Sequence, residues 1–328
     1  MINHRERIQA AIAGELVKPV PIALWRHFPQ DDQSAQGLAQ AVLGFQKRFN
    51  FDLVKVTPTS GYPAEAWGAQ LRPKGNQEGT REYLSRPVRR AADWPALPLL
   101  DEAQSTLARE LRALKLIRAG VGREVHLLQT VFSPLTIAKQ LAGDRWLTDL
   151  REHPEELRAG LETIARTTAR FAEASLASGA DSLFFATQLA SHDLLSLDEY
   201  RAFGLEYDLR VLESVRERAE LILLHLHGNH PMYELVGEYP VQIVNWHDRR
   251  TSPSLQEAQA LFPRVVRLGG LDEWGALLKG SPGEVRAQVQ DALAQTGGRR
   301  LILGAGCVML TTTPDENIRA VCEAATGG

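Results

Sequence analysis

The sequence predicts an α/β protein built as a single (β/α)8 barrel, a TIM barrel, running from residue 1 to residue 328. Three observations carry that prediction. Eight short apolar runs recur along the chain, each followed by a longer stretch with helical periodicity. Most runs are continuously apolar rather than alternating, as expected of parallel strands covered on both faces. No Gly-x-Gly-x-x-Gly turn follows the first run, where Trp25-Arg26-His27 stands instead, so an open doubly wound sheet is the weaker alternative.

In chain order the expected strands are Val20–Trp25, Asp52–Pro58, Val125–Val131, Ser182–Gln188, Leu221–Gly228, Gln242–Trp246, Val265–Leu271 and Leu301–Cys307. Between them the apolar spacing is helical. Pro154 stands where a first helical turn begins, and Leu157, Leu161, Ile164, Thr168 and Phe171 then share a face. Gly179 ends that segment. The last helix opens on Thr313-Pro314-Asp315-Glu316, which reads as a capping box with proline at the first helical position. Ile318, Val321, Cys322 and Ala325 then line one side, so Cys322 is expected to be a small core residue. Residues 72–100 carry four prolines and several arginines and are read as an insertion after the second strand, either a lid or an interface.

Composition narrows the function classes. The hydrophobic fraction of 44% supports a large core, and the 23% of charged residues are mixed in sign with a net charge of −3. No basic tail or interleaved basic and aromatic run marks a nucleic-acid surface. No window is apolar enough for a membrane span, and the polar opening Met1-Ile-Asn-His-Arg-Glu-Arg is unlike a signal peptide. Two cysteines cannot build a disulfide framework. A cytoplasmic protein acting on a small molecule is expected.

Barrel enzymes place their chemistry at the C-terminal ends of the strands. The residues expected there include Trp25, Arg26 and His27 after the first run and Gln129 on the third. Gln188 and His192 follow the fourth, and His225-Leu226-His227 ends the fifth. Trp246-His247-Asp248, Asp272 and Cys307 close the last three. Five of the nine histidines fall at these tips. His225 and His227 are two apart on a strand, so both imidazoles face one side. With Cys307 they offer three nitrogen or sulfur ligands and leave a position open, the pattern of catalytic zinc. His247 and Asp248 are the candidates to complete the set. The alternative is a polar layer without metal. Arg26 either clamps a substrate carboxylate or phosphate, or pairs with Asp272 or Asp52. His27 is an acid/base candidate. Trp25 and Trp246 are read as pocket wall, and Gln129, Gln188, His192 and Asp272 as further substrate contacts.

Several segments are similar to the uroporphyrinogen decarboxylase superfamily over nearly the whole chain. They are His4-Arg5-Glu6-Arg7 with Pro19-Val20-Pro21, Phe51-Asp52-Leu53-Val54-Lys55-Val56, Phe132-Ser133-Pro134-Leu135-Thr136-Ile137-Ala138, Gly179-Ala180-Asp181 and Gly269-Gly270-Leu271-Asp272. Thr313-Pro314-Asp315-Glu316-Asn317-Ile318 is the most specific of them. The resemblance implies a (β/α)8 barrel and two chemical branches. True uroporphyrinogen decarboxylases, which need no cofactor, carry an Arg-Gln-Ala-Gly-Arg loop. Here Arg26 matches its first arginine, but His27-Phe28-Pro29-Gln30 replaces the rest. The branch's acidic residue falls near Thr59, its tyrosine near Gln140 and its histidine at Cys307.

The other branch resembles zinc-dependent methyltransferases that work between corrinoid proteins and thiols. Its His-x-Cys-Gly motif is matched by His225-x-His227-Gly228, and its Gly-Cys by Gly306-Cys307. The resemblance therefore implies zinc on His225, His227 and Cys307, with Asp248 as the acidic ligand and a separate corrinoid protein as partner. A less anionic site also suits demethylation of a methoxy compound. A cofactorless decarboxylase of porphyrin metabolism and a non-catalytic small-molecule-binding barrel are the competing readings.

Overall fold

A computed structural model of the chain describes residues 2–326. Seven parallel strands form one curled sheet: β1 (Leu53–Val56), β4 (His126–Phe132), β5 (Ser182–Thr187), β6 (Ile222–Leu226), β7 (Ile243–Asn245), β8 (Val266–Leu271) and β9 (Leu301–Ala305), paired in that order. Every residue of these strands is buried, as their mostly apolar runs lead one to expect. The two remaining strands, β2 (Gln70–Pro73) and β3 (Arg81–Ser85), make an antiparallel hairpin that begins two residues before the segment expected to be an insertion and runs into it. Trp94, further along that segment, is fully buried and donates its indole N–H to Asp149 at 2.8 Å.

The eighth strand, expected at Val20–Trp25, is not a strand of the sheet. The segment does touch both edges. Leu303 on β9 donates to the Pro21 carbonyl (2.8 Å) and accepts from Ala23 (2.9 Å), while Asp52, just before β1, donates its amide to the Ile22 carbonyl (2.9 Å). A continuous ladder does not form, because Pro21 has no N–H and the Ile22 N–H goes to the Asp52 carboxylate at 2.8 Å.

The helices pack outside the sheet. Pro154–Ala177 buries Leu157, Leu161, Ile164, Thr168 and Phe171, the face that its spacing predicts. The last helix runs Asp315–Ala325, one residue shorter at its start than expected, and the capping box does not form. Pro314 itself takes the cap position in an extended conformation, and the Thr313 hydroxyl finds no partner. The Asn317 side chain instead fastens this helix by donating to the carbonyls of Leu277 (3.0 Å) and Gly280 (2.9 Å). Cys322 is half-buried against the core. No helix among the described residues is long and apolar enough to cross a membrane.

Candidate metal centre

His225 lies on β6 opposite Ala186 on one side and Asn245 on the other. His227 follows two residues on, its amide still bonded to the Thr187 carbonyl at 3.0 Å, so the strand direction persists and both imidazoles share a face. Cys307 arrives from β9 through Gly306. A Cβ at Gly306 would stand 2.8 Å from the His247 Cα and 3.0 Å from the Trp246 carbonyl oxygen. Only glycine lets the ends of β7 and β9 approach this closely.

The result is a convergent set. His225 Nε2 is 3.6 Å from Cys307 Sγ, and His227 Nδ1 is 3.8 Å from it. One ligand atom from each residue falls within 4.8 Å of the other two. The ring of His225 is oriented from behind. Its Nδ1 is 2.6 Å from Asn245 Oδ1, and Asn245 spends its amide N–H groups on the carbonyls of Leu268 (2.8 Å) and Ala305 (3.0 Å). Asn245 Oδ1 can only accept, so His225 Nδ1 must donate. That leaves the Nε2 lone pair facing the cluster, the arrangement that metal-binding histidines share.

The protonation states suit the same use. Burial, reinforced by the neighbouring imidazoles, holds His225 well below the ordinary histidine range and His227 down at about 4. Burial pushes the Cys307 thiol up to about 12, with Glu273 adding to it. Two neutral imidazoles and a thiol are a donor set that a divalent ion completes. Zinc takes this combination of nitrogen and sulfur donors, and the residues present fit it.

The sequence-predicted residues divide sharply. Trp25, His27 and Gln188 line a cavity of about 210 Å³ that opens onto His225, His227 and Cys307. His27 is buried there with no partner for its Nδ1, and burial together with the Lys55 charge takes it down to about 3. The other expected contacts lie outside that lining. Arg26 turns its guanidinium onto the rings of Phe28 and Phe45, at 5.6 and 5.0 Å, and donates to the Thr311 carbonyl at 3.2 Å. Gln129 is buried and donates to the Thr130 carbonyl at 3.1 Å. His192 is exposed and pairs with Glu234 at 2.8 Å. Trp246 is fully buried and donates to the Pro253 carbonyl at 2.8 Å. Asp272 accepts from the Trp274 amide at 3.0 Å and from Arg250 at 3.1 Å.

Asp248 is likewise not brought to the cluster. Both its oxygens accept from the Gly270 amide, each at 3.1 Å, which ties β7 to β8. Its neighbour His247 comes closer, with Nε2 3.3 Å from His227 Nδ1 and Nδ1 3.0 Å from the buried Glu273 carboxylate.

Comparison with known proteins places this geometry. The family model described as "Uroporphyrinogen decarboxylase (URO-D)" matches residues 3–327. The chain belongs to the uroporphyrinogen decarboxylase family. Within that family the methylcobamide:CoM methyltransferase MtbA of Methanosarcina mazei is 23% identical over 92% of this chain and 87% of its own. The uroporphyrinogen decarboxylase of Prochlorococcus marinus (strain MIT 9211) is 28% identical, but over 64% of this chain and 61% of its own. The methyltransferase match therefore extends over more of both chains. A solved methyltransferase from Methanosarcina mazei superposes with a TM-score of 0.87 over 100% of this chain and 99% of its own, at 20% identity, and so shares the fold.

Some features of this URO-D family site were not anticipated from sequence. Lys55, on β1, is buried and lines the cavity. A lysine inside the otherwise apolar strand Leu53–Val56 was the available signal. The β2–β3 hairpin also reaches the cavity, through Glu78 and Thr80. Gly79, at a φ of +74°, packs against His27, where a Cβ would come within 2.9 Å of the His27 Cβ. A second, more polar cleft, lined by Asn229, Arg250, Glu273 and Trp274, reaches His227 and Cys307 from another direction.

Proposed function

We propose that this chain is a zinc-dependent methyltransferase. It takes a methyl group from a methylated corrinoid carried by a separate protein and passes it to a small thiol. One observation carries the reading: His225 Nε2, His227 Nδ1 and Cys307 Sγ converge within 4.8 Å at one end of the sheet, with His225 already oriented by Asn245. The names of its methyltransferase relatives, which act on methylcobamide and CoM, support the choice of donor and acceptor. In this reading the segment Val20–Trp25 closes the barrel as an eighth stave, and the protein and its corrinoid partner work in the cytoplasm.

His225, His227 and Cys307 would hold the zinc, and Asn245 would keep His225 Nε2 turned toward it. What zinc supplies when bound is a lowered thiol pKa, so that the acceptor is a thiolate near neutral pH. Trp25, Phe132 and Phe184 wall the cavity and exclude water from the thiol. The Arg250–Trp274 cleft leaves a separate approach for the methyl donor. With two imidazoles and one cysteine the site carries less negative charge than a two-cysteine site, which weakens the nucleophile and tolerates an oxygen substrate more readily. The decarboxylase reading has less support, because Arg26 stacks on Phe28 and Phe45 rather than facing the cavity.

The test is direct. Zinc-loaded protein mixed with methylcobalamin and a small thiol should demethylate the corrinoid, followed by its visible spectrum, and yield the thioether. His225→Ala and Cys307→Ala should abolish the reaction. No thioether above the protein-free blank, together with loss of carboxylate from uroporphyrinogen, would reverse the assignment.

A further inference from the structure

The lining of the cavity beside the cluster is richer in neutral hydrogen-bonding groups than in charge. Lys55 shares it with the carboxylate of Glu78, and burial takes Lys55 down to about 7. Thr57, Ser60 and Thr80 line it as well. Each of their hydroxyls already accepts a hydrogen bond: Thr57 from Lys55 Nζ at 3.3 Å, Ser60 from the Arg81 amide at 2.9 Å and Thr80 from the Asn76 side chain at 2.8 Å. Each therefore keeps its own proton to donate. His27 stands among them, 9% exposed, with Nδ1 buried and without a partner among the described residues. The hairpin fixes its position, since Gly79 lies so close that a Cβ there would come within 2.9 Å of the His27 Cβ. Burial, with the Lys55 charge adding to it, holds the ring down at about 3. At neutral pH it is an uncharged imidazole with one N–H and one lone pair, and a poor general acid. A buried polar group of this kind costs stability unless something completes it.

We propose that His27 hydrogen-bonds a hydroxyl of the small molecule that sits beside the His225–His227–Cys307 cluster, and that the thiol this chain methylates therefore carries a hydroxyl. A hydroxyl donates one hydrogen bond and accepts two, so it satisfies either tautomer of His27 and takes a proton from a neighbouring serine or threonine as well. An alkyl end of the same size does neither and leaves the ring unpaired. His27 is thus a specificity-determining residue, and Gly79 positions it. The inference deepens the methyl-transfer reading and rests on it for the sulfur end alone. The hydroxyl contact rests on the cavity lining.

Isosteric pairs test this by equilibrium binding to the full chain. With zinc present the probes are 2-mercaptoethanol against propane-1-thiol, and 3-mercaptopropan-1-ol against butane-1-thiol, each pair exchanging a hydroxyl for a methyl. Without zinc the probes are the S-methyl derivatives of the same thiols, whose sulfur does not have to become a thiolate. The wild type should prefer the hydroxyl member of at least one pair by about tenfold or more, in both sets, against the apolar burial that favours the methyl. His27→Phe, which keeps the Cβ that packs on Gly79, should lose or reverse that preference while binding the alkyl members within about threefold of the wild type. Equal or weaker binding of the hydroxyl member in every pair by the wild type overturns the subsite, and needs no variant to fold. A hydroxyl preference that survives His27→Phe, in protein with a native near-ultraviolet circular dichroism spectrum, overturns the role of His27. A preference that depends on His27, with no methyl transfer from methylcobalamin to any of the thiols, would remove the methyl-transfer reading and leave the hydroxyl contact standing.

Discussion

His225 Nδ1 stands 2.6 Å from Asn245 Oδ1, and that contact decides which nitrogen of His225 faces the cluster. Asn245 can accept there only because Leu268 and Ala305 take its N–H groups. A polar chain buried across four strands therefore sets the donor atom of a proposed metal ligand.

Asn245→Leu should lower zinc affinity by about 10- to 100-fold, the usual cost of losing such an outer partner. Asn245→Asp keeps an acceptor for His225 but turns an oxygen onto the Leu268 and Ala305 carbonyls, so it should also lose affinity, though less than Asn245→Leu. Competition with a chromophoric zinc chelator measures both. Equal affinity in wild type and Asn245→Leu would show that the ring needs no such support.

Zinc binding should release close to one proton. At neutral pH His225 and His227 are neutral, because burial depresses both, while Cys307 is a thiol pushed up to about 12. The apparent affinity should therefore rise about tenfold for each pH unit between roughly 6 and 8. The check is the same chelator competition, corrected for protonation of the chelator. An affinity flat with pH would exclude Cys307 as a ligand.

Asp248→Asn should leave zinc affinity within about threefold, since that carboxylate is spent on the Gly270 amide. It should also change the pH profile of stability. Burial raises Asp248 to about 7, so the folded chain holds a proton there that the unfolded chain has released. The wild type therefore loses stability as pH rises from about 4 through 7, and the asparagine variant loses less. Denaturant unfolding at pH 5 and pH 8 compares them. A large drop in zinc affinity would make Asp248 a ligand after all.

His126 works in the opposite sense. It is fully buried at the start of β4, neither ring nitrogen has a hydrogen bond, and burial together with the Arg5 charge lowers it to about 4. The unfolded chain takes up a proton first as pH falls, so stability present above about 6.5 is lost on the way down to about 4, by at most about 3 kcal/mol. His126→Leu should flatten that part of the profile. An unchanged acid limb in urea unfolding would place the loss elsewhere.

Strand periodicity made seven of the eight expected strands legible, because each is a short, mostly apolar run buried on both faces. The Val20–Trp25 run has the same apolar content, but Pro21 and the Asp52 carboxylate take away the donors that a ladder needs. Side-chain direction was less legible. The i, i+2 spacing of His225 and His227 on a strand placed both toward Cys307, whereas nothing in sequence says that Arg26 turns back onto Phe28 and Phe45. Asp248 and His247 are adjacent in the turn after β7, beyond the reach of strand alternation, and they go to different partners, Gly270 and His227. Lys55 was overlooked because a lysine in an otherwise apolar strand shows its place in the lining only when the cavity it faces is known.

The zinc content of the protein after exhaustive dialysis against a weak chelator tests the central claim most directly. The wild type should retain close to one equivalent, and both His225→Ala and Cys307→Ala should fall below about a tenth of one. A wild type that retains no metal, or variants that retain as much as it does, would contradict the account.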